Sequence, residues 1–185
     1  MTLSWLPNAI TITRMVMALP LLWLLMNGHY PQAFWLALLA GASDALDGFI
    51  AKRFGWRSVI GGVLDPIADK LLLSVCFFGL WWSGHLPSWL VAVVLIRDLV
   101  ILFGAYIWWR LVGSFKPAPS GISKMTTLAQ IVLIALVLAH LASFDIAQAW
   151  VPPLMLATAA MTLVSGGDYV VRYGLRAWRA TRSRQ

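Results

Sequence analysis

Long apolar runs separated by short polar connections dominate this chain. A bilayer-spanning helix needs roughly 17 to 25 mostly apolar residues. Backbone hydrogen bonds in a bilayer must be satisfied within the protein, so the runs are predicted to be α-helices. The six predicted helices are Thr11–Met26, Gln32–Arg53, Leu64–Trp82, Pro87–Trp109, Ser123–His140 and Trp150–Tyr173.

The predicted fold class is all-α, an integral membrane bundle of six transmembrane helices. The first run is short and follows MTLSWLPNA, which is expected to form a short N-terminal interfacial segment broken by Pro7. The connections are short and contain no linker or low-complexity tract. Residues 1–185 are therefore predicted to form one membrane domain.

Composition and the distribution of charge support a membrane protein and give it an orientation. The chain is 61% hydrophobic and 11% charged, whereas a soluble domain is about 25% charged. The connections NGHYP, SGHLP and HLASFDIAQA contain no Lys or Arg, whereas KRFGWRS, RLVGSFKPAPSGISK and the C-terminal tail are basic. Basic loops favour the cytoplasmic side. This rule and anionic lipid headgroups account for the net charge of +7 better than nucleic acid does.

The acidic residues are few and clustered. All seven are aspartates, and four lie within SDALDGFIAKRFGWRSVIGGVLDPIADK. Asp44 and Asp47 end one predicted helix, and Asp65 and Asp69 begin the next; each spacing places its pair on one helix face. An uncompensated charge at membrane depth costs at least about 2.5 to 3.5 kcal/mol, so a positive partner is expected.

Two partners are possible for this cluster. Lys52, Arg53, Arg57 and Lys70 could neutralise the aspartates in interfacial salt bridges. A divalent cation is the alternative, because carboxylate oxygens are ligands of Mg²⁺ and Mn²⁺, and Mg²⁺ is usually held by a few carboxylates together with substrate phosphates. The shared helix faces favour the metal. Small residues nearby, Gly48, Ala51, Gly61 and Gly62, would let a bulky ligand approach the backbone.

The same residues resemble the signature of the CDP-alcohol phosphotransferase family. Asp44, Asp47, Gly48, Ala51, Gly61, Asp65 and Asp69 reproduce its spacing, and LPNAITITR, IRD and ISKMTTLAQ extend the resemblance over about 130 residues. One position departs: Lys52 stands where the signature has Arg, and Arg53 follows it. Since Lys and Arg are not equivalent at a phosphate, either residue could take that role.

The resemblance implies a reaction, a metal site and partners. Members transfer a phosphatidyl group from CDP-diacylglycerol to an acceptor hydroxyl and release CMP. Two Mg²⁺ or Mn²⁺ ions would be held by Asp44, Asp47, Asp65 and Asp69, and Asp69 would take the acceptor proton. The residues implied to bind the cytidine diphosphate are Asn8, Thr11, Gly48, Ala51, Lys52, Arg53 and Gly61. A homodimer in the bacterial inner membrane, with its active site facing the cytoplasm, is expected.

Arg97 and Lys124 are candidates for binding the acceptor. Both are expected to be buried or nearly buried cations, which in a membrane indicate function. Arg97 is not expected to pair with Asp98, since adjacent helical side chains point apart. A phosphorylated acceptor would suit two cations: glycerol 3-phosphate or phosphatidylglycerol. Ser123 and Thr126 around Lys124 resemble the cardiolipin-forming members, and inositol phosphate and serine are further alternatives.

Other features favour simpler interpretations. A membrane transporter is a non-enzymatic alternative, although its ionisable groups would lie near the midplane. Cys76 is expected to be packing in an apolar helix. His29, His85 and His140 are expected at the outer ends of helices, away from the aspartates. Asp168 either pairs with Arg172 on the same helix face or lines the bundle.

Overall fold

The computed structural model describes residues 6–54, 61–112, 120–144 and 148–182. Within these ranges the side chains of 6–10, 44–54, 61–66, 105, 107–112 and 173–182 are outside the description. The described residues form α-helices and one short 3₁₀ turn, Gln148–Trp150, and they contain no strand. The predicted all-α fold class is therefore confirmed for the described part of the chain.

Each predicted run corresponds to a helix of the structure. The helices are α1 (Leu6–Met26), α2 (Tyr30–Phe54), α3 (Gly61–Trp82), α4 (Ser88–Val112), α5 (Gly121–Leu141) and α6 (Val151–Arg182). The predicted bounds differ most at the start of α1 and at the end of α6. In both places the apolar run is shorter than the helix that contains it.

The two ends differ for separate reasons. Pro7 does not break the chain, because it lies in the first turn of α1, where a missing N–H removes no intrahelical hydrogen bond. Residues 6–9 thus belong to α1 rather than to a separate interfacial segment, and residues 1–5 lie outside the described part. Helix α6 continues past Tyr173 to Arg182 because helix formation depends on backbone hydrogen bonds and does not require apolar side chains.

The chain divides into two compact units. The first unit contains α1, α2, α3 and α5 from Ile134 onward, and the second contains α4, α5 up to Leu133, and α6. Whether the chain is one domain stays a prediction.

In the first unit α1 packs against both α2 and α3. One face of α1 is buried along its length, and its members recur at helical spacing: Thr11, Arg14, Ala18, Leu21 and Leu25. Gly79 of α3 meets this face, because a Cβ built on it would lie 2.8 Å from the Leu25 Cβ. A small residue at that position lets the two helix backbones approach closely.

In the second unit α4 packs against α6. A Cβ on Gly104 of α4 would lie 2.6 Å from Cε1 of Tyr169 on α6, whose hydroxyl donates to the Ile101 carbonyl at 3.1 Å. The interior of this unit is unusually polar. Its buried side chains include Arg97, Thr126, Gln130, Thr158, Thr162 and Ser165.

Three helices of the first unit end in a residue with a left-handed backbone. Gly28 (φ 77°) follows α1, Gly84 (φ 79°) follows α3, and Ser143 (φ 67°) follows α5. The next amide in each case donates to a carbonyl five residues back: His29 to Leu24, His85 to Leu80, and Phe144 to Ala139. These bonds satisfy carbonyls that the helix end leaves open.

The outward surfaces of several helices carry large apolar side chains. Leu19, Trp35, Phe103 and Leu156 are all exposed, and a soluble protein rarely exposes this much apolar area. Among the described residues, Gly121–Leu141 and Gln148–Arg172 are long and apolar enough to cross a membrane, and Thr11–Met26 is apolar but shorter. Membrane association is supported, whereas six spanning helices are not confirmed.

Candidate active site

Two helices of the first unit carry the aspartate cluster. Asp44, Asp47, Gly48, Ala51, Lys52 and Arg53 lie in α2, and Gly61, Asp65 and Asp69 lie in α3. The helical backbone supports the same-face spacing predicted for each aspartate pair. Of these residues only Asp69 has a described side chain, so the convergence of the other carboxylates and their roles stay predictions.

The Asp69 carboxylate is bound by a buried arginine of α1. Arg14 Nη1 donates to Asp69 Oδ1 at 2.6 Å, across 55 positions of sequence. The two side chains differ sharply in exposure, 1% for Arg14 and 43% for Asp69. The carboxylate is therefore anchored from the protein interior while much of its surface stays accessible.

Helix α1 also carries the two residues predicted to flank the nucleotide. Thr11 is buried on the face that contains Arg14, one turn before it. Asn8 lies in the first turns of the same helix, and its side chain is outside the description. Their contact with a nucleotide stays a prediction.

The donor set of this region fits a divalent cation in its chemistry. Asp44, Asp47, Asp65 and Asp69 offer only carboxylate oxygens, which suit Mg²⁺ and Mn²⁺. No group of three or more potential metal ligands occurs among the side chains that the structure describes. The side chains of Asp44, Asp47 and Asp65 are outside the described part of the structure. The fit to a divalent cation therefore rests on the chemistry of the four carboxylates and on their positions in α2 and α3.

In the second unit Arg97 joins three helices through hydrogen bonds. Its Nη2 donates to Ser123 of α5 at 2.7 Å and to Ser165 of α6 at 2.8 Å, and its Nη1 donates to Asp98 at 2.7 Å. The expectation that Arg97 does not pair with Asp98 is therefore wrong. The arginine side chain is long enough to turn back to its neighbour, and the burial of Arg97 beside a mostly buried Asp98 favours the pair.

Arg97 retains unused donor capacity. It is buried, as predicted, and its Nε has no hydrogen-bond partner among the described residues. A guanidinium carries five N–H groups, and the three hydrogen bonds to Asp98, Ser123 and Ser165 use three of them.

Lys124 lies in the first turn of α5 and is exposed. The expectation that it is buried or nearly buried is wrong, because the turn lies at the helix end. Ser120 caps this end: its Oγ accepts from the Ser123 amide at 3.2 Å, and its carbonyl accepts from the Lys124 amide at 3.2 Å.

Thr126 does not share the surroundings of Lys124. It is fully buried, with its Oγ1 2.9 Å from the Ile122 carbonyl and 3.1 Å from the Met161 carbonyl of α6. Two positions along a helix separate side chains by about half a turn. Thr126 therefore contributes to packing between α5 and α6.

A shallow groove of about 320 Å³ lies beside Lys124 on α5. Its lining residues are Ser123, Lys124, Thr127, Leu128 and Ile131. The polar residues lie toward the start of α5, and the apolar Leu128 and Ile131 lie one and two turns further on. One surface thus combines a cation with an apolar wall.

The remaining candidate residues follow the simpler interpretations. Cys76 is buried without a disulfide, as expected. Arg172 Nε donates to Asp168 Oδ1 at 2.6 Å, so the i,i+4 pair is the alternative that the structure supports. His85 follows α3 in the chain, and its Nε2 lies 2.8 Å from the Tyr30 hydroxyl. Burial lowers the pKa of His85, and the nearby His140 lowers it further.

The sequence analysis did not predict which residues form hydrogen bonds with the charged residues Asp69 and Arg97. The Arg14–Asp69 pair had a signal in the sequence, because Arg14 occupies the apolar stripe of α1 at positions 11, 14, 18, 21 and 25. An arginine in such a stripe indicates that an anion on a facing helix lies within reach of it. Ser165 as a partner of Arg97 had no comparable signal, since serine is common in helices that pack in membranes.

A family model described as CDP-alcohol phosphatidyltransferase matches residues 4–164. The match covers most of the chain and extends into α6, beyond the roughly 130 residues of the sequence resemblance. It includes all four aspartates together with Arg14, Arg97 and Lys124.

Three relatives illustrate the similarity. The chain is 33% identical, over 91% of its length, to the chloroplastic CDP-diacylglycerol–glycerol-3-phosphate 3-phosphatidyltransferase 1 of Oryza sativa subsp. japonica, covering 56% of that protein. It is 33% identical over 72% of its length to the Homo sapiens cardiolipin synthase (CMP-forming), covering 50% of it. It is 34% identical over 90% of its length to a probable phosphatidylglycerophosphate synthase of Mycobacterium tuberculosis, covering 80% of it. The chain thus spans about half the length of the first two relatives.

Proposed function

This chain belongs to the CDP-alcohol phosphatidyltransferase family, and we propose that it transfers a phosphatidyl group from CDP-diacylglycerol to an acceptor hydroxyl. The family consists of enzymes, so a transporter is not favoured. The observation that carries the proposal is Asp69, the last aspartate of the signature, whose accessible carboxylate is anchored by a buried guanidinium.

Asp44, Asp47, Asp65 and Asp69 are the proposed ligands of two Mg²⁺ or Mn²⁺ ions. Bound metal would offset the charge of the pyrophosphate and of the departing CMP. The carboxylates of α2 and α3 would hold the donor's pyrophosphate through the metal at the ends of these helices.

Asp69 is the proposed general base, because its carboxylate is open enough to contact an acceptor hydroxyl. The acceptor oxygen bonds to the phosphorus of the phosphatidyl group, and the bond from that phosphorus to the CMP oxygen breaks. CMP leaves with the bonding pair, and the acceptor proton passes to Asp69.

The nucleotide is proposed to lie against the small residues of α2 and α3, because small side chains would let a ligand approach the backbone. The residues in this role are Gly48, Ala51 and Gly61, with Asn8 and Thr11 from α1 and with Lys52 or Arg53 on a phosphate. Lys52 would contribute one point charge, whereas Arg53 could form a bidentate contact.

The proposed acceptor is glycerol 3-phosphate or phosphatidylglycerol, with Lys124 binding its phosphate. The groove on α5 favours phosphatidylglycerol, because an exposed cation beside Leu128 and Ile131 suits a ligand with a phosphate and acyl chains. Arg97 is proposed to support the first turn of α5 through its hydrogen bond to Ser123. It is also proposed to offer its remaining N–H groups to the acceptor.

The proposed location is a membrane, the inner membrane in bacteria, with the active site on the cytoplasmic side. The basic stretches that connect α2 to α3 and α4 to α5 support that orientation. A homodimer is proposed from the family resemblance alone.

Lipid mass spectrometry on the purified protein with CDP-diacylglycerol and Mg²⁺ tests the proposal. Glycerol 3-phosphate and phosphatidylglycerol are supplied in parallel reactions, and CMP release is measured in each. We expect CMP and the matching lipid with one acceptor, and the groove favours cardiolipin. Absence of CMP with both acceptors, and with inositol phosphate and serine, would contradict the proposed activity.

A further inference from the structure

The buried face of α1 contains a charge that helix packing does not require. Ala18, Leu21 and Leu25 continue the face on which Arg14 lies, and they pack as apolar side chains usually do. An apolar residue at position 14 would continue that packing. A guanidinium in an apolar environment is instead expensive, so its presence indicates a specific partner.

Asp69 is one such partner, and the two side chains differ in how buried they are. Arg14 is 1% exposed and needs a carboxylate to offset its burial, whereas Asp69 is 43% exposed and accessible to solvent or ligands. The carboxylate does not need Arg14 for its own solvation. The 2.6 Å bond to Oδ1 does, however, restrict where the carboxylate points.

We propose that Arg14 is a positioning residue for Asp69, holding its carboxylate in the orientation that receives the acceptor proton. This inference rests on the proposed function, because it assigns Arg14 a task in a reaction that uses Asp69. Helix α1 is suited to the task, since it packs against both helices that carry the aspartate cluster. A shift of about 1 Å in a reacting group is enough to cost roughly 10²-fold in rate.

Kinetics in detergent with CDP-diacylglycerol, Mg²⁺ and the active acceptor test the proposal. We expect Arg14→Gln to lower kcat by about 10²-fold. KM for CDP-diacylglycerol should change less than about threefold, because the contacts that bind the donor equally in the ground state and the transition state are retained. Arg14→Lys should recover part of kcat, since an ammonium group can also donate to Asp69 Oδ1 in place of Nη1. Arg172→Gln is the matched control, as it removes another 2.6 Å ion pair outside the site.

Stability measurements separate positioning from loss of the fold. Thermal unfolding is compared for Arg14→Gln, Asp69→Asn and the double variant. Asp69→Asn removes this carboxylate from the buried guanidinium, whereas the double variant removes the guanidinium as well. The double variant should therefore be more stable than the sum of the single losses predicts, even where Arg14→Gln alone folds poorly.

Each outcome has a distinct meaning. Additive losses of stability would show that the pair does not form, and the inference would fail. An Arg14→Gln protein that folds and keeps the wild-type kcat would also overturn it, while the proposed function would stand. A wild-type protein that releases no CMP with any acceptor would overturn the proposed function, and the stability cycle would still report on the pair.

Discussion

Gly104 of α4 lies so close to the ring of Tyr169 on α6 that a Cβ would lie 2.6 Å from Cε1. Gly79 of α3 meets Leu25 of α1 in the same way, but there the Leu25 Cβ itself lies within 2.8 Å. The Tyr169 ring could swing away if it gave up the hydrogen bond to Ile101, whereas the Leu25 Cβ moves only with its helix.

We therefore expect Gly79→Ala to destabilise the protein more than Gly104→Ala does. Overpacking of this kind costs about 1 to 3 kcal/mol. Thermal unfolding followed by tryptophan fluorescence measures both changes. Gly41→Ala in α2 is the control, because nothing lies within 4 Å of its built Cβ. It should be neutral or stabilising by up to about 1 kcal/mol, and a loss as large as that of Gly79→Ala would refute the steric explanation.

Ser143 follows the end of α5 and has φ 67°. The equivalent positions after α1 and α3 are occupied by glycine. A side chain in this conformation costs about 1 kcal/mol, so Ser143→Gly should raise the stability by roughly that amount. Gly28→Ala should lower it by a similar amount, because Gly28 has φ 77° and open space around its built Cβ. Unchanged melting temperatures in both variants would show that these helix ends relax without strain.

His85 should make stability depend on pH. Its pKa is lowered from 6.5 by burial and by His140, so the unfolded chain takes up the proton more readily than the native protein does. This contribution to the free energy of unfolding is fully present above pH 6.5 and is lost as pH falls toward the lowered pKa. Unfolding measured across that range should show the loss in the wild type and a smaller loss in His85→Gln. Equal slopes for the two proteins would exclude His85 as the cause.

The aspartates should be essential for transfer. Asp47→Asn keeps the side-chain shape while removing the charge that a divalent cation needs, so CMP release should be abolished. Asp69→Asn should also abolish it, and should in addition lower the melting temperature, because the buried Arg14 loses its ion pair with Asp69. EDTA should inhibit the wild type, and added Mg²⁺ should restore activity. Full activity in both variants would refute the site assignment.

Lys124 should affect the acceptor and not the donor. Lys124→Gln removes an exposed charge from the groove, so KM for the acceptor should rise by about tenfold, the effect of one lost contact of roughly 1.4 kcal/mol. KM for CDP-diacylglycerol should not change. Leu128→Ala tests the apolar wall of the same groove and should raise KM for phosphatidylglycerol alone. Equal effects on both acceptors would argue against a lipid in the groove.

The sequence predicted the features that depend on local periodicity and spacing. The apolar runs predicted the positions of all six described α-helices, because each of these helices has an apolar face. The signature identified the family because its residues have fixed spacing along two helices. The i,i+4 pair of Asp168 and Arg172 could be considered from the sequence because helix geometry alone brings such neighbours together.

Tertiary structure decided what depends on contacts between distant segments. The sequence could not match Arg14 to Asp69, because 55 positions separate them and only the packing of α1 on α3 brings them together. It missed the pair of Arg97 with Asp98, because burial beside Ser123 and Ser165 overrides the tendency of adjacent side chains to diverge. The structure also shows that Thr126 is buried against α6 whereas the nearby Lys124 is exposed. Periodicity fixes which face a residue occupies, and only packing fixes what lies opposite that face.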